Sequence, residues 1–232
     1  MQKRSSNGIR ACVFDAYGTL FDVNSAAERE QAALGDKWHP LAELWRGKQL
    51  QYTWLRSLGG RHADFWQVTG EALDFAMASL GIDDGALRKR LMNLYLELDA
   101  YPEVGATLAR LKAGGLRLAI LSNGSPAMLS AAVDNAGITP LLDAVLSVEE
   151  VGVFKPHPSV YQLPVDRLGV AAGEICFVSS NGWDAYSARA FGLRVAWCNR
   201  FGQAAEHIPE PPDWNILTLT GLHEIVGLPG PA

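Results

Sequence analysis

CVFDAYGTLF, residues 12–21, runs from an apolar stretch into one carboxylate and then a glycine turn. A short apolar run that stops at turn residues reads as a buried strand. In an open α/β sheet, ligands gather beyond the carboxyl ends of the strands, which singles out Asp15. The next carboxylate along the chain is Asp22, so Asp15 has no acid at the second position after it.

Four further runs of this kind follow: LRLAIL at 116–121, LDAVLS at 142–147, ICFV at 175–178 and RVAWC at 194–198. Segments 103–113, 125–136, 158–168 and 184–191 between them have helical composition, and Gly137, Gly169 and Gly192 stand where helix C-caps belong. This is the rhythm of βαβ units, and it predicts an α/β fold with a Rossmann-like parallel sheet whose first strand is 9–14. Residues 22–100 break the rhythm. LAELWRGKQLQYTWLRSLG, ADFWQVTGEALDFAMASLG and DGALRKRLMNLYLELD are helix-length amphipathic stretches with no strand among them. The expected organisation is a core domain of residues 1–21 and 101–232 with a helical cap domain, 22–100, inserted after the first strand. Such an insertion suits a lid that keeps water from the chemistry. IPEPPDW and GLPGPA near the C-terminus read as proline-rich connection or terminus.

A length of 232 residues fits one core domain with a sizeable insertion. Cys12, Cys176 and Cys198 form no CxxC pair, and the first two lie in strand-like runs as buried thiols, which points to a reducing compartment. The polar start MQKRSSNGIR holds no apolar run of signal or membrane length, so a cytoplasmic location is expected. A formal charge of −5 with scattered basic residues leaves no footprint for nucleic acid or a membrane surface, and a small molecule is the expected partner. The five histidines have no ligand spacing and mostly read as surface or capping groups. Trp38, Trp45, Trp54 and Trp66 in the cap read as exposed aromatic surface that allows a homodimer.

The residues that follow each strand form a set. Asp15 follows the first; Ser122 and Asn123 follow LRLAIL; Lys155 and Tyr161 follow LDAVLS; Ser179, Ser180, Asn181 and Asp184 follow ICFV. Each alone reads as a turn or cap residue. Four strands all ending in acid, hydroxyl, amide or amine point to one site.

In motif order and over nearly its whole length, the chain resembles the haloacid dehalogenase superfamily, through DAYGTL (15–20), SNG (122–124), KPHPSVY (155–161) and SSNGWD (179–184). That superfamily is mostly phosphatases, with a second Asp two residues after the nucleophile as general acid and a further acid in the fourth motif. Here those positions hold Tyr17 and Ser180. Asp15 and Asp184 alone are too few for a Mg²⁺ site, and a phenol lacks the acid that an alkoxide leaving group needs. A halide leaves without a proton. The pattern is similar to the L-2-haloacid dehalogenase subfamily, including LWRGKQLQYTWLRSL, where Arg46 matches that family's cap arginine. The resemblance implies an enzyme without cofactor or metal that hydrolyses short L-2-haloalkanoic acids to D-2-hydroxy acids. Asp15 would displace halide from C2, and water would then attack the resulting ester. It implies a catalytic set of Asp15, Thr19, Arg46, Ser122, Lys155, Tyr161, Ser179, Asn181 and Asp184. Substrate contacts would come from Tyr17, Arg46, Leu50, Phe65, Ser122, Asn123, Lys155 and Trp183.

The chemistry suits these residue types. Lys155 offsets the charge of Asp15 and, with Ser122, that of a substrate carboxylate. A guanidinium such as Arg46 supplies a permanent cation for a departing halide, with Asn123 as a neutral donor, and Asn181 or Asp184 serves the water step. Two other readings are open: a phosphatase with a degenerate metal site, and a noncatalytic member used for binding or assembly.

Overall fold

The protein is seen in a computed structural model that describes residues 8–23 and 28–229. Most of the polar N-terminal stretch lies outside the described residues. β1 (Ala11–Phe14) is fully buried, as a strand covered on both faces must be. It is the centre of a sheet with β2 (Arg117–Ser122), β3 (Ala144–Ser147), β4 (Ile175–Ser179), β5 (Arg194–Cys198) and β6 (Trp214–Ile216). The order is β3-β2-β1-β4-β5-β6, parallel throughout. From β1 the chain winds outward through β2 and β3, then crosses to β4 on the other flank. The switch point falls beside β1, with Phe14 level with Ile120 and Val178, so Asp15 emerges where a doubly wound sheet binds its ligands.

The short helix α1 (Gln31–Leu34) precedes α2 (Trp38–Leu58), α3 (Phe65–Ser79) and α4 (Gly85–Leu94). In α2, Leu41, Trp45, Gln49 and Thr53 are buried; a spacing of four residues puts them in one stripe, which packs on α3. The carboxylates of Asp64 and Asp84 cap α3 and α4 by accepting the backbone N–H of Gln67 and Leu87. This helical layer leaves and returns to the sheet at one place. Phe21 bridges to both Tyr17 and Ala100, and Asp22 donates its backbone N–H to the Asp99 carbonyl at 2.8 Å. Elsewhere the layer touches the sheet's loops: the Phe154 N–H donates to Ser57 Oγ at 3.1 Å, and His62 Nε2 meets Glu149 Oε2 at 2.9 Å, just past β3.

The later helices are α5 (Val104–Ala113), α6 (Pro126–Asn135), α7 (Pro158–Leu168), α8 (Gly182–Phe191) and the short α9 (Leu222–Ile225). Ser125 caps α6 ahead of a first-turn proline, and His157 caps α7. Gly169 and Gly192 close α7 and α8 with φ of 60° and 110°, while Gly137 stands one residue past the α6 cap, Ala136.

Two expectations need correcting, and one histidine is an exception. The proline-rich stretch ends in a strand, because Trp214–Ile216 finds a partner in β5 at the sheet edge. Trp45 is buried, its indole N–H donating to the Thr69 carbonyl, and Trp38, Trp54 and Trp66 are half-buried; the large apolar side chains exposed among the described residues of the layer are Leu55, Leu58 and Phe75. His223 is buried, neither a surface nor a capping group, and neither ring nitrogen has a hydrogen-bond partner.

Candidate active site

After Phe14 the chain turns at once: Thr19, Leu20 and Phe21 donate their backbone N–H groups to the Ala16 carbonyl, and Gly18 takes φ of +86°, which L side chains rarely adopt. This tight turn brings the hydroxyl of Thr19 back to Asp15, four residues earlier, at 3.1 Å from Oδ2. The Ser180 N–H donates to the same hydroxyl oxygen at 2.8 Å, which leaves the proton directed at the carboxylate. Asn181 Nδ2 donates to Oδ2 as well, at 2.9 Å, and Lys155 Nζ to Oδ1 at 3.0 Å. Asp15 is 6% exposed, and fixed donors stand where most of its water would be.

Lys155 is no surface lysine. Its side chain is 1% exposed, and Nζ lies 2.9 Å from Asp184 Oδ2 as well as beside Asp15. Burial disfavours the ammonium, but two carboxylates and their hydrogen bonds prevail, and the Lys155 pKa is raised. Asp184, fully buried at the first turn of α8, has its pKa pushed up by burial against the pull of Lys155. The Tyr161 hydroxyl donates to Asp184 Oδ1 at 2.7 Å; burial and then the Asp184 charge put that phenol well above its ordinary pKa, so it remains a donor.

Ser122 Oγ accepts the Gly124 N–H, Asn123 Oδ1 accepts the Lys155 N–H at 3.0 Å, and Ser179 Oγ accepts the Asn181 N–H. The Asn123–Lys155 bond ties the loops after β2 and β3, the Lys155–Asp184 pair carries the frame on past β4, and the two serines brace their own loops. Arg46 reaches that frame from α2: its Nη2 donates to Asn181 Oδ1 at 3.4 Å, so one amide spans the guanidinium and Asp15. Arg46 is half-buried at the seam and does not lie on a solvated helix face.

Tyr17 is buried, its hydroxyl has no partner, and its ring packs on Phe65 at 5.9 Å and Tyr95 at 5.4 Å. Phe65 in turn packs on Phe154. Trp183 sets its ring edge-on to Trp54 at 5.5 Å across the seam. Leu50 is half-buried on α2, four residues after Arg46.

Four polar residues had no place in the sequence reading. Gln49, Thr69 and Tyr95 form a buried hydrogen-bonded cluster behind Arg46. Arg200, after β5, donates to the Thr19 carbonyl at 3.0 Å and to Glu103 at 2.5 Å, bracing the turn that carries Asp15. The available signal for Gln49 was its place in an otherwise core-facing stripe of α2.

A divalent cation does not suit this donor set. Such an ion needs several oxygen ligands, whereas Asp15 and Asp184 both close on one ammonium and Tyr17 and Ser180 offer no carboxylate. Among the described residues, no group of three or more His, Cys, Asp or Glu is arranged to hold a metal.

Fold and site define a class: a doubly wound α/β enzyme whose central strand ends in a carboxylate, roofed by a helical insertion. Residues 9–192 match the haloacid dehalogenase-like hydrolase family, and the chain belongs to it. It is 47% identical over 219 residues to (S)-2-haloacid dehalogenase 1 of Pseudomonas sp. (strain CBS-3), covering 94% of this chain and 96% of that one. A crystal structure of a dehalogenase with an intermediate complex superposes with a TM-score of 0.93 at 43% identity, covering 95% and 98% of the two chains. L-2-haloacid dehalogenase from Xanthobacter autotrophicus with chloropropionic acid covalently bound gives 0.88 at 41% identity, covering 94% and 98%.

Proposed function

We propose that this protein hydrolyses short L-2-haloalkanoic acids to D-2-hydroxy acids through an ester on Asp15, without a metal. The observation that carries the reading is the Asn181 amide, which joins a buried, ammonium-held carboxylate on the sheet to a guanidinium on the helical layer. An Asp15 oxygen attacks C2 from one side, the carbon–halogen bond breaks, and the halide leaves with the bonding pair toward Arg46. Water then adds to the Asp15 carboxyl carbon; the carbon–oxygen bond within the side-chain ester breaks, giving hydroxy acid, one proton and the original carboxylate. Asp184, Asn181, Ser179 and Thr19 frame that step, with Tyr161 and Lys155 holding Asp184 in place. Ser122 and Lys155 take the substrate carboxylate, Asn123 joins Arg46 as a neutral donor to the halide, and Tyr17, Phe65, Trp183 and Leu50 enclose the alkyl part. The domain assignment belongs to the same reading: 22–100 as cap, 1–21 and 101–232 as core.

The relatives named above support the activity. The three free, buried thiols favour a cytoplasmic setting, and exposed Leu55, Leu58 and Phe75 favour a homodimer through the helical layer. No described helix is long and apolar enough to cross a membrane.

The test is one turnover on L-2-chloropropionate in isotopically heavy water, followed by mass spectrometry of the protein. Heavy oxygen is expected in Asp15 and not in the product. Label going straight into lactate would mean that water attacks carbon and would defeat the reading. Asp15→Asn should release no chloride while keeping its circular dichroism.

A further inference from the structure

Gln49 lies three residues after Arg46 on α2, is 1% exposed, and accepts from Arg46 Nη1 through Oε1 at 2.7 Å. Its amide orientation is dictated from behind. The Thr69 hydroxyl spends its proton on the Phe65 carbonyl at 2.6 Å, so toward Gln49 it can only accept, and Gln49 Nε2 stands 2.7 Å away. The donor end of the amide therefore faces Thr69, and the carbonyl end faces the guanidinium. Tyr95 closes the cluster: its hydroxyl lies within 3.1 and 3.2 Å of the two amide atoms, and its ring packs on both Tyr17 and Trp45. Trp45 is itself tied to the Thr69 carbonyl at 2.9 Å. Any buried amide needs partners. Here the partners also fix which atom meets Arg46.

We propose that Gln49 is a positioning residue, held by Thr69 and Tyr95, that aims the Arg46 guanidinium at the departing halide before substrate arrives. Arginine loses several rotatable bonds' freedom when it binds, and a guanidinium fixed in advance stabilises developing charge without reorganising at the moment of reaction. Arg46 is held by Gln49 on its own helix and by Asn181 across the seam, with the Tyr95 hydroxyl also interacting with it. The first of these hydrogen bonds is the shorter, 2.7 Å against 3.4 Å.

This inference rests on the reading of Arg46 as the halide's receiver, so the experiment has an arm for each. kcat/KM covers the steps through carbon–halogen cleavage and is measured on L-2-chloro-, L-2-bromo- and L-2-iodopropionate. Chloride, the poorest leaving group of the three, depends most on the cation. Gln49→Met keeps the volume and removes the acceptor. It should lower kcat/KM about 30-fold for the chloro substrate and about threefold for the iodo substrate. Arg46→Lys should steepen the halide dependence further. A fall in Gln49→Met that is equal across the three halides, or no fall, while Arg46→Lys steepens the dependence, overturns the positioning role alone. A flat dependence in Arg46→Lys overturns the reading of Arg46 and the positioning role with it. Should Gln49→Met fail to fold, Thr69→Val, which removes only the group that orients the amide, carries the same test: steepening supports the role and a uniform loss overturns it.

Discussion

One ammonium stands between two buried carboxylates, and the consequences of its loss are large. Lys155→Met leaves Asp15 and Asp184 buried without their cation; breaking a buried pair in this way costs about 3–5 kcal/mol. The urea midpoint should fall accordingly, and Asp184→Asn in the same background should recover part of it. The pH behaviour follows from the direction of the shift. The Lys155 pKa is raised by its two carboxylates against burial, so its contribution is fully present below the ordinary lysine value, about 10.4, and is lost as pH rises through the folded-state value. A pH profile of kcat/KM should hold into the alkaline range; a maximum in acid would contradict the role given to this ammonium. At this scale, residues such as Asp15 and Lys155 were legible because their type and their place after a strand both speak. Gln49, Thr69 and Tyr95 were not, because a polar residue on an amphipathic helix looks the same whether it meets water or a second helix.

Among the elements, the loop between β2 and α6 is packed with little tolerance. A Cβ on Gly124 would lie 2.8 Å from Tyr17 Cε2 and 3.1 Å from Leu129 Cδ2. The Tyr17 ring is pinned between Phe65 and Tyr95, so it has little room to give. Gly124→Ala should cost about 1–3 kcal/mol and raise KM for 2-chlorobutyrate more than for 2-chloropropionate, as steady-state kinetics and thermal unfolding will register. The strands β2 to β5 were readable from apolar runs that ended at polar clusters. β6 was not: three residues containing Asn215 and following two prolines carry too little pattern, and only the free edge of β5 makes them a strand. The insertion was legible by contrast, since helical periodicity replaces the strand rhythm there, but its exit and return at Phe21 and Ala100 involve contacts that no single segment encodes.

For the whole molecule, acid stability has an identifiable contributor in His223. Burial, and then the nearby Arg110 charge, lower its pKa, and neither nitrogen has a partner to reward protonation. The unfolded chain therefore binds the proton more readily. Stability from this group is present above the ordinary histidine value, about 6.5, and is lost as pH falls through the folded-state value. His223→Leu should flatten that part of a stability-against-pH curve measured by urea denaturation, and an unchanged slope would assign the acid sensitivity elsewhere. The tethering of the helical layer has a mechanical consequence. Both of its chain connections converge at Phe21, six residues from Asp15, while its catches on Phe154 and Glu149 lie past β3, two strands or roughly 10 Å from β1. Were the layer to part from the sheet about that joint, the Ser57 and His62 catches would break together with the Arg46–Asn181 and Trp54–Trp183 contacts, while Tyr17, on the sheet side of the joint, would stay beside Asp15.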